Sequence, residues 1–248
     1  MVFLGDAVIF HKIRNEHRIN TCLEEYLLKL GGFEIVFVCD DSGSMMTSVD
    51  GRADRTRWDE LCEIIKKILG IAIMFDKSGI DLYFLHEDEY HNVKNPADVE
   101  QAFSRTPSGF TPLVPVLEKI FRSSMARRGN DKKLLVLVAT DGRPTDEEGN
   151  DAVNELEHLM REIRTEETTY VSFLLCTDDP ECVDYLARWD RTMVHVGVTD
   201  DYDTEKAKIR QCQEDPNYPF TYDDYIVKAL VGSIVPLIDR LNEPKRRQ

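Results

Sequence analysis

Apolar positions along the chain follow two rhythms. Five short runs are rich in β-branched and aliphatic residues: "EIVFVC" (34–39), "IDLYFL" (80–85), "LLVLVAT" (134–140), "YVSFLLC" (170–176) and "TMVHVGV" (192–198). Three of them are apolar nearly throughout instead of alternating, as strands covered on both faces are. Between the runs the period becomes helical. Trp58, Leu61, Cys62, Ile65, Ile68, Leu69 and Ala72 recur at helical spacing from Arg57 to Phe75, and Leu113, Val116, Leu117, Ile120 and Phe121 do so after "TP". Residues 147–164 read as a charged helix and 180–190 as a short one. Strands alternating with helices predict an α/β fold: a doubly wound, mostly parallel central sheet flanked by helices.

The two ends carry helical stripes as well. Leu23, Tyr26, Leu27 and Leu30 form one, stopped by Gly31-Gly32, so residues 1–32 are expected to be a helical extension packing on the core. Tyr225, Ile226, Ala229, Leu230, Ile234, Leu237, Ile238 and Leu241 form a longer one. Residues 200–222, with Pro216, Pro219 and many acids, read as an irregular connection. The main domain then runs over 33–241, and 242–248, ending in "PKRRQ", is a basic tail. No internal repeat or dividing linker is visible.

Composition narrows the functional classes. With 248 residues, 42% of them apolar, the chain can bury one sizeable core. A formal net charge of −15 repels phosphate backbones, which argues against a nucleic-acid partner, and concentrates cations near the surface. No apolar stretch approaches the roughly 18–20 residues of a membrane span. The opening "MVFLGDAVIFHKIRNEHRIN" acquires charge early and lacks a small-residue cleavage site. A cytoplasmic protein is expected, with Cys22, Cys39, Cys62, Cys176, Cys182 and Cys212 reduced.

The candidate chemistry lies where the first strand stops. "CDDSGSM" (39–45) crowds two aspartates and two serines into one loop, with no histidine. In an open parallel sheet, ligands sit beyond the carboxyl ends of the strands. Asp40, Ser42 and Ser44 occupy that place after the first run, and Asp141 of "ATDGRP" occupies it after 134–140. Thr111 of "SGFTPL" comes just before a helix start, in a third loop on the same edge. Carboxylate and hydroxyl oxygens without imidazole or thiolate suit a hard cation: magnesium, manganese or calcium.

The combination of "DDSGS", "GFTPL" and "TDG" resembles the von Willebrand factor type A (vWA) domain with its metal-ion-dependent adhesion site (MIDAS), in an intracellular form with a Rossmann-like core. The resemblance covers about residues 33–198 and extends toward 241, so that 33–241 is expected to be the vWA domain. It implies that Ser42 and Ser44 coordinate the ion through their hydroxyls, Thr111 directly or through water, and Asp40 and Asp141 directly or through coordinated waters. It also implies a protein partner that fills the remaining position with an Asp or Glu carboxylate. Asp41 occupies a variable motif position, and Asp146, Glu147 and Glu148 lie near the same rim, able to repel acidic ligands or hold a second cation.

Other readings compete. The serines would also serve a helix cap and turn. His86 and His91 of "LHEDEYH" would suit a solvated hairpin or, with a third ligand, a transition metal. Trp58, Met45 and Met46 read as core or rim packing. An aspartate pair after a first strand also suits a magnesium-dependent phosphotransferase or hydrolase, but such enzymes need a carboxylate two residues on, where Ser42 stands. Gly-x-Ser-x-Gly, Walker and Gly-x-Gly-x-x-Gly loops are absent. The sequence therefore predicts a binding module and not an enzyme, with a scaffold carrying a vestigial site as the remaining alternative.

Overall fold

The three unbroken apolar runs become the middle of the sheet. A computed structural model describes His11, Ile13 and residues 17–49, 54–86, 88–126, 132–177 and 179–243. Its strands are β1 (Phe33–Cys39), β2 (Ile80–Phe84), β3 (Glu89–Val93), β4 (Lys133–Thr140), β5 (Thr169–Leu175) and β6 (Val196–Thr199), in the order β3-β2-β1-β4-β5-β6. All neighbouring pairs are parallel except β2 and β3, which form a hairpin. The fold is α/β, with a mostly parallel sheet.

Each central strand feeds two cores, which is why its sequence does not alternate. Ile35, Phe37 and Cys39 of β1 join Leu135, Leu137 and Ala139 of β4 on one face, whereas Val36, Val38, Val136 and Val138 point to the other. The first face is covered by α1 (Arg57–Phe75), through Leu61, Ile65, Ile68 and Leu69, and by the C-terminal helix. The second is covered by α3 (Leu113–Ala126), through Leu117 and Phe121, and by α5 (Pro180–Thr192), through Leu186 and Trp189. A short helix, α2 (Pro96–Ala102), precedes α3, and α4 (Val153–His158) runs into a π turn, Leu159–Ile163. Helix α1 starts on a reciprocal capping box in which Thr56 and Asp59 satisfy each other's backbone N–H groups.

Several expectations need correction. The stretch 200–222 is not irregular throughout: α6 (Tyr202–Cys212) is a helix started by Asp201, whose carboxylate accepts from the Asp203 and Thr204 N–H groups. The run 192–198 begins four residues too early, because α5 continues to Thr192 and the strand opens only after His195, whose φ is +58°. The helix expected over 147–164 starts at Val153, since residues 147–150 belong to a turn held by Asp146. The hairpin expected around His86 and His91 is present: β3, which carries His91, pairs antiparallel with β2. The N-terminal stripe is helical over Thr21–Glu24 and then a 3-10 turn, Glu25–Gly32.

Residues Ile13, Ile19, Leu23, Leu27 and Leu30 are buried in the same core as α1. The tail Pro244–Gln248 lies outside the described residues. Cys22, Cys39, Cys62, Cys176 and Cys212 are free; the side chain of Cys182 is not among those described. Trp58 and Met45 are buried, and Met46 is exposed.

The C-terminal helix, α7 (Tyr222–Val231), is pinned to its neighbours by charge. Lys228 is fully buried, 3.4 Å from the equally buried Glu205 of α6. Asp239, half-buried nearby, has its carboxyl pushed up to about 7, first by burial and then by the Asp190 charge, against the pull of Lys228 and with Glu243 and Glu205 adding to the rise. Its folded pKa exceeds its unfolded value, so its contribution favours the fold at low pH and is lost as pH rises through about 7. Replacing Asp239 by Asn should therefore raise the melting temperature at pH 8 and change it little near pH 3, below the ordinary value of 3.8, as followed by circular dichroism.

Candidate functional site

Three loops at the carboxyl edge of the sheet are stitched to one another by backbone hydrogen bonds. The Asp40 N–H donates to the Ala139 carbonyl (2.9 Å), joining the ends of β1 and β4. Gly43 N–H donates to the Gly109 carbonyl (3.2 Å) and Ser108 N–H to the Asp41 carbonyl (2.8 Å), tying the first loop to the second. Thr145 N–H donates to the Thr111 carbonyl (2.9 Å), and Thr111 N–H donates to the Thr145 hydroxyl (2.9 Å), tying the second to the third. Gly109 is required where it stands. Its φ is +85°, and a Cβ there would come within 2.7 Å of His86 Nε2.

The predicted residues converge within this frame. Asp40 is completely buried; its Oδ1 accepts from the Ser42 N–H (2.9 Å) and its Oδ2 from the Thr140 hydroxyl (2.6 Å). Burial pushes its carboxyl up to about 6, the Ser42 and Thr140 hydrogen bonds pull it down, and the Asp141 charge adds a smaller rise. The Ser42 and Ser44 hydroxyl oxygens are 3.0 Å apart, and the Ser44 hydroxyl donates to Asp141 Oδ1 (2.6 Å). Thr111 is buried, and its hydroxyl faces Gly142, 3.7 Å from where a Cβ on that glycine would lie. Four of the five residues thus form one hydrogen-bonded chain, and Thr111 closes on the residue after Asp141.

The donor set suits a small, hard cation. Octahedral magnesium with bonds of about 2.0–2.1 Å places neighbouring ligand oxygens about 2.9 Å apart. The Ser42, Ser44 and Asp141 oxygens already stand at 3.0 and 2.6 Å. Among the described residues no group of three or more His, Cys, Asp or Glu side chains could hold a metal ion, so a cation here would depend on hydroxyls. His86 and His91 do not converge: His86 Nδ1 pairs with Asp41 (2.7 Å) and His91 Nδ1 with Asp81 (3.1 Å). Asp146 is turned onto its own loop, accepting from Asn150 and the Glu148 N–H.

Three contributors escaped the sequence reading. Arg57 donates through Nη1 to Asp141 Oδ2 (2.7 Å) and through Nη2 to the Thr177 hydroxyl (3.0 Å). Thr140, the last residue of β4, supplies the hydroxyl that answers Asp40. Asp41, noted only as filling a variable position, is buried and holds the β2–β3 turn: its Oδ1 accepts from the Leu85 N–H (3.1 Å) and pairs with His86, and Arg105 Nη1 lies 3.6 Å from its Oδ2. The only sequence signal for these was position, at a strand end or a helix start.

No protein-family model matches the chain, and no curated protein matches it. Among solved structures it is similar to the manganese-loaded TRAP protein of Plasmodium vivax, at 13% identity over 71% of each chain, with a TM-score of 0.40.

Replacing Asp41 by Ala should destabilise the protein by roughly 1–3 kcal/mol, because the buried Leu85 N–H loses its acceptor. Urea denaturation of the two proteins measures it.

Proposed function

We propose that the chain is a vWA domain of the MIDAS type acting as a metal-dependent protein-interaction module, not an enzyme. The observation that carries this reading is the Ser44 hydroxyl at the carboxyl ends of β1 and β4, 3.0 Å from the Ser42 hydroxyl oxygen and 2.6 Å from Asp141 Oδ1. Ser42, Ser44 and Thr111 would hold magnesium or manganese, with Asp40 and Asp141 contributing directly or through water. The bound ion would supply an electrophilic position for one anionic oxygen, and the docking group is a partner's Asp or Glu carboxylate.

The chain's own residues prepare that encounter. Asp40 fixes the first loop by accepting the Ser42 N–H, and the Ser44 hydroxyl lies between the Ser42 hydroxyl and Asp141. Three of the five donors are neutral, so the cation's charge is only partly offset, and an incoming carboxylate recovers strong Coulomb attraction. Met46 and Phe110, both exposed, flank Ser44 and Thr111 in sequence and offer apolar contact around the anchoring charge. A phosphotransferase would need a carboxylate where Ser42 stands.

Replacing Asp40 or Thr111 by Ala should weaken magnesium or manganese binding on the order of tenfold or more while the far-ultraviolet spectrum stays that of the parent. Titration calorimetry decides it, and unchanged affinity in both variants would refute the assignment. For the partner, capture in magnesium and in chelator should differ, and changing its contact carboxylate to the amide should abolish the difference.

A further inference from the structure

We propose that Arg57 is a resident cation of the site, compensating Asp141 when no metal is bound and limiting how tightly a divalent ion binds; this rests on the metal-binding reading above. Arg57 is the first residue of α1, the end that carries the helix's partial positive charge. A cation is disfavoured there by about 0.3–1 kcal/mol. The helix already has its cap in Thr56 and Asp59, so its start gives no reason for an arginine. Asp141 does.

The Asp141 side chain is wholly withdrawn from water, whereas that of Arg57 is 19% exposed. A carboxylate so placed needs a positive charge or several donors. Arg57 provides the charge and one donor beside that of Ser44, and its planar guanidinium is fixed at two points, Asp141 Oδ2 at 2.7 Å and the Thr177 hydroxyl at 3.0 Å. Its backbone N–H donates to the Thr47 carbonyl (3.0 Å), so the same residue ties the start of α1 to the segment just after Ser44.

The two oxygens of Asp141 therefore serve different partners. Oδ2 is engaged by Arg57, and Oδ1 accepts from Ser44 on the side where the other site oxygens lie. A divalent ion must share this carboxylate with a fixed positive charge, and the repulsion between the two cations lowers its affinity. In return, the loops remain assembled without an ion. Arg57 also borders a cavity of about 360 Å³ lined by Arg55, Glu60, Thr177, Asp201 and Tyr222, so a different side chain at this position meets open space.

The test uses the full chain with Arg57→Gln, which keeps a hydrogen-bond donor without the charge, and Arg57→Lys, which keeps the charge. Manganese affinity is measured by calorimetry, and thermal unfolding is followed in chelator and in saturating manganese. The Gln variant should bind manganese about tenfold more tightly or better, and the Lys variant should stay near the parent. In chelator the Gln variant should melt below the parent, and saturating manganese should close that gap. Manganese binding by the parent with equal or weaker binding by the Gln variant overturns this inference alone. Flat titrations for both proteins overturn the metal-binding reading and this inference with it.

Discussion

Carboxylates taken out of water at the mouths of neighbouring parallel strands must be answered by donors, and that requirement organises the whole upper edge of this protein. Asp40, Asp41 and Asp141 are all buried. An uncompensated charge at any of them would cost several kcal/mol. The donors come from separate parts of the chain: a backbone N–H and a hydroxyl for Asp40, a hydroxyl and a guanidinium for Asp141, and the β2–β3 turn for Asp41. Meeting the desolvation of three acids thus fixes the end of β4, the start of α1 and the turn after β2 relative to the first loop. The order of the site is a by-product of keeping its acids solvated by protein.

How much of this could be read beforehand depends on how local the cause is. Strands β1, β4 and β5 were legible because two-sided burial removes alternation, and α1 because its apolar stripe persists over five turns. Helix α6 was hidden: its buried positions include Glu205 as well as Ile209, and a helix that puts a carboxylate into the interior shows no apolar stripe. The Asp201 cap was the one local signal there, and the flanking prolines outweighed it. The strand start in 192–198 was misplaced because Met193 packs as part of the helix end, and only the positive φ of His195 breaks the chain before β6.

The site divides the same way. Asp40, Ser42, Ser44, Thr111 and Asp141 were legible as oxygen-bearing residues in loops that a parallel sheet must gather on one edge. The partners that set their charge were not. Arg57 is 84 residues from Asp141, and Thr140 is 100 residues from Asp40. Nothing local distinguishes an arginine at a helix start from a solvated one, or a threonine ending a strand from any β-branched residue. Such pairings exist only once the sheet has placed β1 beside β4.

The two edges of the sheet bear on how the molecule can meet others. At one edge, β3 runs antiparallel and exposes His91 and Asn92, with Asn92 at a φ of +55° that bends the backbone away from a straight ladder. At the other, β6 is four residues long. A charged, bent margin and a very short one offer a poor template for a strand from another chain. Fibre-like extension and backbone-mediated capture of peptides are therefore both disfavoured. Any association of this molecule would have to use side chains instead of open hydrogen-bonding ladders.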